Sequence, residues 1–278
     1  MSINWFPGHM VKARREIEEN MKLVDIVAIL LDARAPFSCR NADLEKMSSK
    51  KRLLLVLNKM DLAEPESTRR YLAQLQNQGF MATAIDSTSG KGLSEVIQAI
   101  KSAYQPLVEV MLGKGRRVRA ARVMIVGVPN IGKSTFLNCL VGKKMASTGA
   151  KPGITRGKQW VRVRDDIELM DTPGLMWPKV KSEEQGLKLA LLNIVGEKAY
   201  QEQEAAMYLL KTLQTKAPHI LMEKLKLSNP ENSPEVLLEE IARNRGHLLK
   251  AGALDLSKTY TALLHDFRKG KLGRISLD

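Results

Sequence analysis

The stretch that decides the fold is Gly127-Val128-Pro129-Asn130-Ile131-Gly132-Lys133-Ser134, which fits the pattern GxxxxGK[ST]. It follows a β-branched apolar run and precedes a helical pattern, which is the context that a phosphate-binding loop requires. Glycines let backbone N–H groups turn toward phosphate oxygens, and the N-terminus of the next helix adds positive potential. The alternative is a chance glycine-rich turn. The nucleotide contacts predicted for this phosphate loop are Asn130, Ile131, Gly132, Lys133, Ser134 and Thr135.

Around the phosphate loop the sequence alternates between two hydrophobic patterns, one typical of strands and one typical of helices. Runs rich in β-branched residues or leucine predict buried strands: Val24–Leu31, Leu53–Leu57, Phe80–Ile85 and Val123–Val126. Helical patterns lie before, between and after them: Val11–Met21, Glu66–Gln78, Leu93–Ala103 and Lys133–Val141. Two further runs, Trp160–Val163 and Ile167–Met170, predict an antiparallel hairpin. The pattern predicts an α/β fold with a doubly wound parallel sheet.

Beyond about Met176 the strand-like runs stop. Helical patterns follow one another: Glu183–Val195, Glu202–Gln214, Ile220–Lys226, Glu235–Arg245 and Leu256–Lys269. The sequence therefore predicts two domains, an α/β domain over residues 1–177 and an all-helical domain over residues 178–278.

A second motif, Asn58-Lys59-Met60-Asp61, comes directly after a predicted strand and fits NKxD. A carboxylate at Asp61 can accept hydrogen bonds from N1–H and the 2-amino group of guanine, and adenine lacks that pair of donors. A four-residue match alone is more often a solvated loop at the end of a strand. Beside a phosphate loop, it predicts guanine specificity.

Asp171-Thr172-Pro173-Gly174 fits DxxG, in which Asp171 would hold Mg²⁺ through water and the Gly174 N–H would contact the γ-phosphate. Ser134 is the predicted direct Mg²⁺ ligand. Thr155 lies between the two motifs, where a second hydroxyl ligand is expected. The alternatives are an ordinary Pro-Gly turn and a plain surface threonine.

Ser87 follows the third predicted strand, in Asp86-Ser87-Thr88-Ser89-Gly90. It resembles the loop whose backbone N–H groups contact guanine O6, although Thr88 stands where alanine is usual. A serine that caps the helix predicted from Leu93 is the alternative.

These motifs resemble those of the translation-factor-related GTPases, but their order is rotated. Asn58–Asp61 and Ser87 precede the phosphate loop, whereas in the common arrangement they follow DxxG. The chain thus resembles a circularly permuted P-loop GTPase. Trp5-Phe6-Pro7-Gly8-His9-Met10 and Asp32-Ala33-Arg34-Ala35-Pro36-Phe37-Ser38-Cys39-Arg40-Asn41 are similar to the bacterial ribosome biogenesis GTPase A (YlqF-type) family.

The resemblance implies an enzyme that converts GTP to GDP and phosphate, and a factor in late maturation of the large (50S) ribosomal subunit. Leu175 follows DxxG where many GTPases place a glutamine that orients water, so slow intrinsic hydrolysis is expected. The resemblance offers His9 for orienting water instead, and the alternative is a histidine that only packs or caps a helix. Asn130 is typical of GTPases that hold K⁺ near the phosphates; a loop asparagine without an ion is the alternative.

Charge indicates the partner. The chain carries 44 Lys and Arg against 30 Asp and Glu, a net charge of +14. No acidic residue lies between Glu109 and Asp165, and this favours a polyanion as the partner. The resemblance implies that this polyanion is the rRNA of a large-subunit precursor. The Lys114–Arg122 cluster and Lys143–Lys158 are the predicted contacts. The resemblance adds a helical tail that binds RNA, with a set of candidate basic residues: Arg243, Arg245, Lys250, Arg268, Lys269, Lys271 and Arg274.

Several other classes do not fit. Cys39 and Cys139 form no disulfide framework, and no apolar run reaches the roughly 20 residues of a membrane span. We therefore expect a cytoplasmic protein that is monomeric in solution. Two alternative functions remain open: a nucleotide-gated RNA-binding module with negligible turnover, and a GTPase that serves RNA modification.

Overall fold

The computed structural model describes residues 15–142, 160–171, 180–196, 200–250 and 252–278, the side chain of Asp171 excepted. The described residues fall into two compact units, one within residues 6–178 and one within 179–278. The predicted domain boundary after residue 177 lies outside the described residues, as does most of the predicted first helix, of which residues 15–21 are helical.

The first unit contains a six-stranded sheet. Its strands are β1 (Ile26–Asp32), β2 (Arg52–Asn58), β3 (Met81–Ile85), β4 (Ala121–Gly127), β5 (Trp160–Arg164) and β6 (Ile167–Asp171). They lie in the order β3-β2-β1-β4-β6-β5, and every neighbouring pair is parallel except β5 with β6. The predicted α/β sheet and its antiparallel hairpin are therefore confirmed.

Strand β1 is buried along its whole length, as the apolar sequence of a central parallel strand requires. It lies between β2 and β4, with Asp32 opposite Asn58 and Leu30 opposite Gly127. On the far side of β4, Ile125 is opposite Asp171. This register brings the ends of the strands that carry the sequence motifs to one edge of the sheet.

The described helices of this unit with both ends defined are α1 (Pro36–Cys39), α2 (Ala42–Met47), α3 (Pro65–Asn77), α4 (Leu93–Gly113) and α5 (Lys133–Val141). Helices α1 and α2 were not predicted, since they are too short for a hydrophobic period; proline at the start of α1 and the Asn41 cap of α2 fix them locally. Helix α4 is longer than the predicted Leu93–Ala103 because it continues through Pro106.

The second unit is helical in its described residues, apart from one isolated bridge between Leu248 and Leu254. Its helices are α6 (Glu183–Leu191), α7 (Glu202–Lys216), α8 (Pro218–Glu223), α9 (Pro234–Asn244) and α10 (Leu256–Arg268). Helix α7 is central and packs against all four others. The predicted all-helical tail is confirmed, and no helix of the described residues is both long and apolar enough to span a membrane.

Candidate nucleotide-binding site

The phosphate loop joins β4 to α5 through backbone conformations that favour glycine. Gly132 has a φ of 97°, and Asn130 is also left-handed at 58°. Gly127 is enclosed, because a Cβ atom there would lie 3.1 Å from the Leu30 carbonyl oxygen and 3.1 Å from Cγ2 of Ile131. The loop therefore needs its glycines both for backbone turning and for close packing against β1.

Asn58 connects the two nucleotide motifs. Its Nδ2 donates a hydrogen bond to the Ile131 carbonyl oxygen at 3.0 Å, and its Oδ1 accepts one from Ser87 Oγ at 2.6 Å. These two bonds join residues that are more than 25 positions apart in the sequence. Both bonds are buried, where leaving a donor or acceptor unpaired is costly. Gly132 lies against the same amide: a Cβ on it would lie 2.6 Å from Asn58 Nδ2.

Lys59 forms a second link between the loops. Its Nζ donates to the Asn130 carbonyl oxygen at 2.9 Å and lies 3.1 Å from Oδ2 of Asp32. Its backbone is left-handed, with a φ of 59°. The N–H of Met60 then donates to the Ile85 carbonyl oxygen at 3.2 Å, which joins the ends of β2 and β3. Asn58–Asp61, the loop predicted to bind guanine and called the guanine loop below, is thus held from both sides.

Asp61 is half-buried at the end of this loop. Burial and the nearby charge of Asp86 raise its pKa above the ordinary value, while the Arg34 guanidinium opposes that rise. A partly desolvated carboxylate gains more from a pair of N–H donors than a solvated one does, because less water competes for its lone pairs. The surroundings of the Asp61 carboxylate therefore suit the binding of a ligand that offers two N–H donors.

Ser87 does not cap the following helix. The residue at that position is Gly92, which makes no side-chain capping bond, and the Ser87 hydroxyl is committed to Asn58. The turn after Ser87 is closed by Asp86, whose Oδ1 accepts from the Thr88 N–H at 2.8 Å. The capping alternative is therefore wrong, and Ser87 lies next to the guanine loop.

The side chain of Lys133 folds back over the first residues of the phosphate loop. Its Nζ is 3.3 Å from the carbonyl oxygens of Gly127 and Val128. Ser134 and Thr135 occupy the first turn of α5, half-buried beside it. An ammonium group and a free helix N-terminus at one place suit the phosphates of a nucleotide.

Other predicted site residues lie outside the described part of the chain. These are His9, Thr155, Gly174 and the side chain of Asp171. The backbone of Asp171 is described, and its pairing with Ile125 places the start of DxxG beside the strand that leads into the phosphate loop. The roles of these four residues, like those of the other predicted site residues, stay predictions.

The sequence reasoning missed Asp32 and Arg34 as site residues. They were noted only as part of a family-like stretch, yet Asp32 is fully buried and bonded to Lys59. The available signal was a pair of opposite charges at the end of a strand that is otherwise wholly apolar, where an unpaired charge is rarely tolerated.

The sheet order, the phosphate loop and the adjoining guanine loop define a circularly permuted P-loop GTPase. Residues 122–238 match the family model described as 50S ribosome-binding GTPase. Over 279 residues the chain is 40% identical to the ribosome biogenesis GTPase A of Bacillus cereus, covering 100% of this chain and 94% of that protein. The chain belongs to the ribosome biogenesis GTPase A family and is a GTP-hydrolysing enzyme.

Solved structures agree with that assignment. The chain is similar to GNP-bound YlqF from Thermotoga maritima, with a TM-score of 0.67, 28% identity and coverage of 96% of this chain and 97% of that one. The GDP-bound form of the same protein gives a TM-score of 0.66 at 27% identity, with 95% of this chain and 98% of that chain covered. GTP and GDP are accordingly the nucleotides of this family's site.

Proposed function

We propose that the chain is an assembly factor that binds rRNA in precursors of the large ribosomal subunit and acts late in their maturation. It works as a cytoplasmic monomer, and its GTP state is coupled to the helical unit. The observation that carries the nucleotide part is the buried bond from Asn58 to the Ile131 carbonyl, which joins the guanine loop to the phosphate loop. The family carries the ribosomal part.

Mg²⁺ fits the residues that the structure describes. Ser134 stands in the first turn of α5 next to Lys133, and the β6 backbone brings Asp171 to the same edge of the sheet. Ser134 would hold the ion directly, with Thr155 and Asp171 completing its surroundings, and the ion would neutralise charge on the phosphates. Asn130 would in addition hold K⁺, supplying charge that an arginine provides in other GTPases.

The switch residues connect this site to the helical unit through the sequence. DxxG ends at Gly174, and Leu175 already leads toward the second unit. A loop that orders around the γ-phosphate and relaxes after hydrolysis would therefore act on the start of the helical unit. This supports a factor whose contact with the ribosome depends on the bound nucleotide.

Replacing His9 by alanine is expected to lower hydrolysis stimulated by large ribosomal subunits by roughly 100-fold, the usual scale of a lost acid-base or water-orienting group. Affinity for GTP should stay unchanged, because the histidine would act on the attacking water and not on the nucleotide. Single-turnover hydrolysis with and without purified subunits, together with GTP titration, measures both quantities.

His219, exposed in the second unit, is the control, and His219→Ala should leave stimulated hydrolysis unchanged. A loss of GTP affinity in His9→Ala, or an equal loss of turnover in both variants, would contradict a role for His9 in catalysis. The same assay in KCl and in NaCl checks Asn130, since equal rates in the two salts would remove K⁺ from the proposal.

Ion pairs distinguish the members of the Lys114–Arg122 cluster, which we propose as the RNA contact of the first unit. Arg119 makes two bonds to Asp25, at 2.7 and 2.8 Å, and Arg122 pairs with Glu168 and stacks on Trp160. Within the described residues, the basic side chains of the cluster that are exposed and make no ion pair are Lys114, Arg116 and Arg117. These three are best placed to meet phosphates, and the Lys143–Lys158 contact lies outside the described residues.

Ion pairs and hydrogen bonds also distinguish the candidate basic residues of the helical tail. Arg243, Arg245 and Lys271 pair with acidic neighbours, and Arg268 donates to the carbonyl oxygens of Ala190 and Leu191. Exposed members without an ion pair in the described part of this unit are Lys250, Lys269 and Arg274. They form the second surface that we assign to rRNA.

Replacing Lys114, Arg116 and Arg117 together by alanine is expected to weaken binding to large ribosomal subunits and to flatten its salt dependence. Each phosphate contact releases counterions, so the slope of log K against log salt should fall by about one per charge lost. Sedimentation binding assays over a range of KCl concentrations measure the slope.

Three exposed lysines elsewhere in the first unit, Lys22, Lys46 and Lys50, give a control variant with the same loss of charge. If the control weakens binding as much, the effect is one of net charge, and the assignment of the Lys114–Arg117 surface is wrong. GTP affinity should be unchanged in both triple variants.

Two other functions are less well supported. A GTPase serving RNA modification would need a catalytic module, and no cluster of three or more His, Cys, Asp or Glu suited to a metal occurs in the described residues. A nucleotide-gated module with negligible turnover is separated from the proposed function by whether ribosomal subunits stimulate hydrolysis.

A further inference from the structure

A buried ion pair lies at the end of β1, between the two nucleotide loops. Asp32 is 0% exposed and Arg34 is 2% exposed. The guanidinium grips the carboxylate with two bonds, from Nε to Oδ1 at 2.9 Å and from Nη2 to Oδ2 at 2.8 Å. The backbone N–H of Arg34 adds a third, at 3.1 Å. Buried pairs seldom add much net stability, because desolvation offsets their attraction, so this pair calls for another explanation.

The register of the sheet explains why the pair lies where it does. Because β1 separates β2 from β4, its last residue, Asp32, is opposite Asn58, and Leu30 two positions earlier is opposite Gly127. The N–H of Ala33 donates to the Asn58 carbonyl oxygen at 2.8 Å. The carboxylate is therefore set between the start of the guanine loop and the start of the phosphate loop.

Lys59 carries the effect of the pair to the phosphate loop. Its ammonium group lies 3.1 Å from Asp32 Oδ2, the oxygen that Arg34 Nη2 also contacts, and 2.9 Å from the Asn130 carbonyl oxygen. One carboxylate thus holds two cations, and one of them reaches across to the other loop. A flexible lysine chain with a left-handed backbone gains a defined position from this contact.

The charges around Asp32 are balanced. Burial alone would raise its pKa, but the Arg34 and Lys59 charges hold the pKa of Asp32 well below its ordinary value, so the carboxylate stays ionised at neutral pH. Asp61 lies near enough to Arg34 for the guanidinium to oppose the rise in its pKa. Asp32 thus holds Arg34 and Lys59 together at the start of the guanine loop, and removal of its charge would leave the buried guanidinium without its carboxylate.

We propose that Asp32 and Arg34 are positioning residues that fix Lys59, and through it align the guanine loop with the phosphate loop before nucleotide binds. This proposal rests on the assignment of Asn58–Asp61 to the guanine base. In this proposal the pair acts through Lys59 on the guanine and phosphate loops, and not through a contact with the γ-phosphate. GTP and GDP should therefore depend on the pair to the same extent, and the rate of the chemical step should not depend on it.

Replacing Asp32 by asparagine keeps the size of the side chain and removes the charge that holds Lys59. The expected result is a rise in the Kd of both GDP and GTP of roughly 10- to 100-fold, the scale of one lost charge-assisted bond. The basal kcat should stay within about twofold, so that the loss appears in KM, as expected for a uniform binding effect. Titration with each nucleotide and steady-state hydrolysis of the full chain measure these values.

Asp25→Asn is the control. Asp25 precedes the other end of β1, is 12% exposed, and also accepts two bonds from one guanidinium, that of the more exposed Arg119. At about 3.3 Å per residue, it lies roughly 20 Å from the nucleotide loops. Asp25→Asn should lower the free energy of unfolding without changing the Kd of GTP or of GDP. Equal Kd values for Asp32→Asn and the unmodified chain, or a loss confined to GTP, would overturn the proposal.

Arg34→Lys keeps the positive charge and removes the pair of bonds to Asp32. This variant should also raise the Kd of both nucleotides, and it provides the test if Asp32→Asn does not fold.

Lys59→Met gives a further check. If Asp32 acts through Lys59, adding Asp32→Asn to Lys59→Met should raise the Kd little further, whereas independent effects would add. An additive result would overturn the proposal.

Failure of the guanine-site assignment would look different. If Asp61→Asn leaves the preference for guanine unchanged, the assignment of Asn58–Asp61 fails, and the positioning proposal falls with it. If Asp61→Asn changes base preference while Asp32→Asn leaves both Kd values intact, only the positioning proposal is wrong.

Discussion

Replacing Asp61 by asparagine is expected to abolish GTP binding at working concentrations and to create binding of XTP. Without the carboxylate, guanine would lose two charge-assisted bonds, each worth about 1.5–3 kcal/mol. This loss raises the Kd of GTP by roughly 10²- to 10⁴-fold. Xanthine carries a carbonyl where guanine carries its 2-amino group, so the amide of asparagine can donate where the carboxylate accepted. Titration with GTP, XTP and ATP measures the change.

The half-burial of Asp61 makes the effect large, since water replaces a lost partner poorly there. Asp43→Asn, at an exposed position of α2, is the control and should bind GTP as the unmodified chain does. A variant at Asp61 that keeps its preference for GTP would show that the base is recognised elsewhere. A variant that loses GTP and gains no XTP while remaining folded would leave the two-donor account without support.

Replacing Gly132 by alanine is expected to raise the Kd of both GTP and GDP by roughly 100-fold. A Cβ at a left-handed residue costs about 1–2 kcal/mol. Here it would also lie 2.6 Å from Asn58 Nδ2, so the amide must leave the Ile131 carbonyl, at a further cost of about 1 kcal/mol. The two loops would then separate. Nucleotide titration and urea unfolding, performed on the same preparation, distinguish loss of binding from loss of fold.

Gly142→Ala gives a matched comparison. Gly142 caps the other end of α5 with a φ of 69°, and a Cβ there meets no atom within 4 Å. The substitution carries the backbone strain of the first variant without its clash. It should therefore lower the free energy of unfolding by about 1 kcal/mol and leave nucleotide affinity unchanged. Equal losses of affinity in the two variants would mean that strain alone, and not the contact with Asn58, accounts for Gly132.

Much of the architecture could be predicted from short stretches of sequence. The strands were found because β1 and β4 are apolar apart from Asp32 at the end of β1 and Arg122 near the start of β4, as strands covered on both faces largely are. The tail helices were found within a few residues of their ends because each has a hydrophobic period and a polar break. The short helix α1 escaped prediction, since a single turn carries no hydrophobic period; the proline at its start and its packing against β1 together hold it.

The site residues, like the helices and strands, were predicted where a local pattern specifies them and missed where it does not. The sequence by itself determined which groups the nucleotide loops contain and in which order, because each motif is a local pattern that depends on a few adjacent residues. Only the tertiary structure decided that Asn58 bonds to Ile131, that Ser87 bonds to Asn58 instead of capping α4, and that Arg119 is held by Asp25. Asp32 and Arg34 entered the site in the same way. The physical reason is the parallel register: it sets residues distant in sequence within bonding distance, and no local pattern specifies that register.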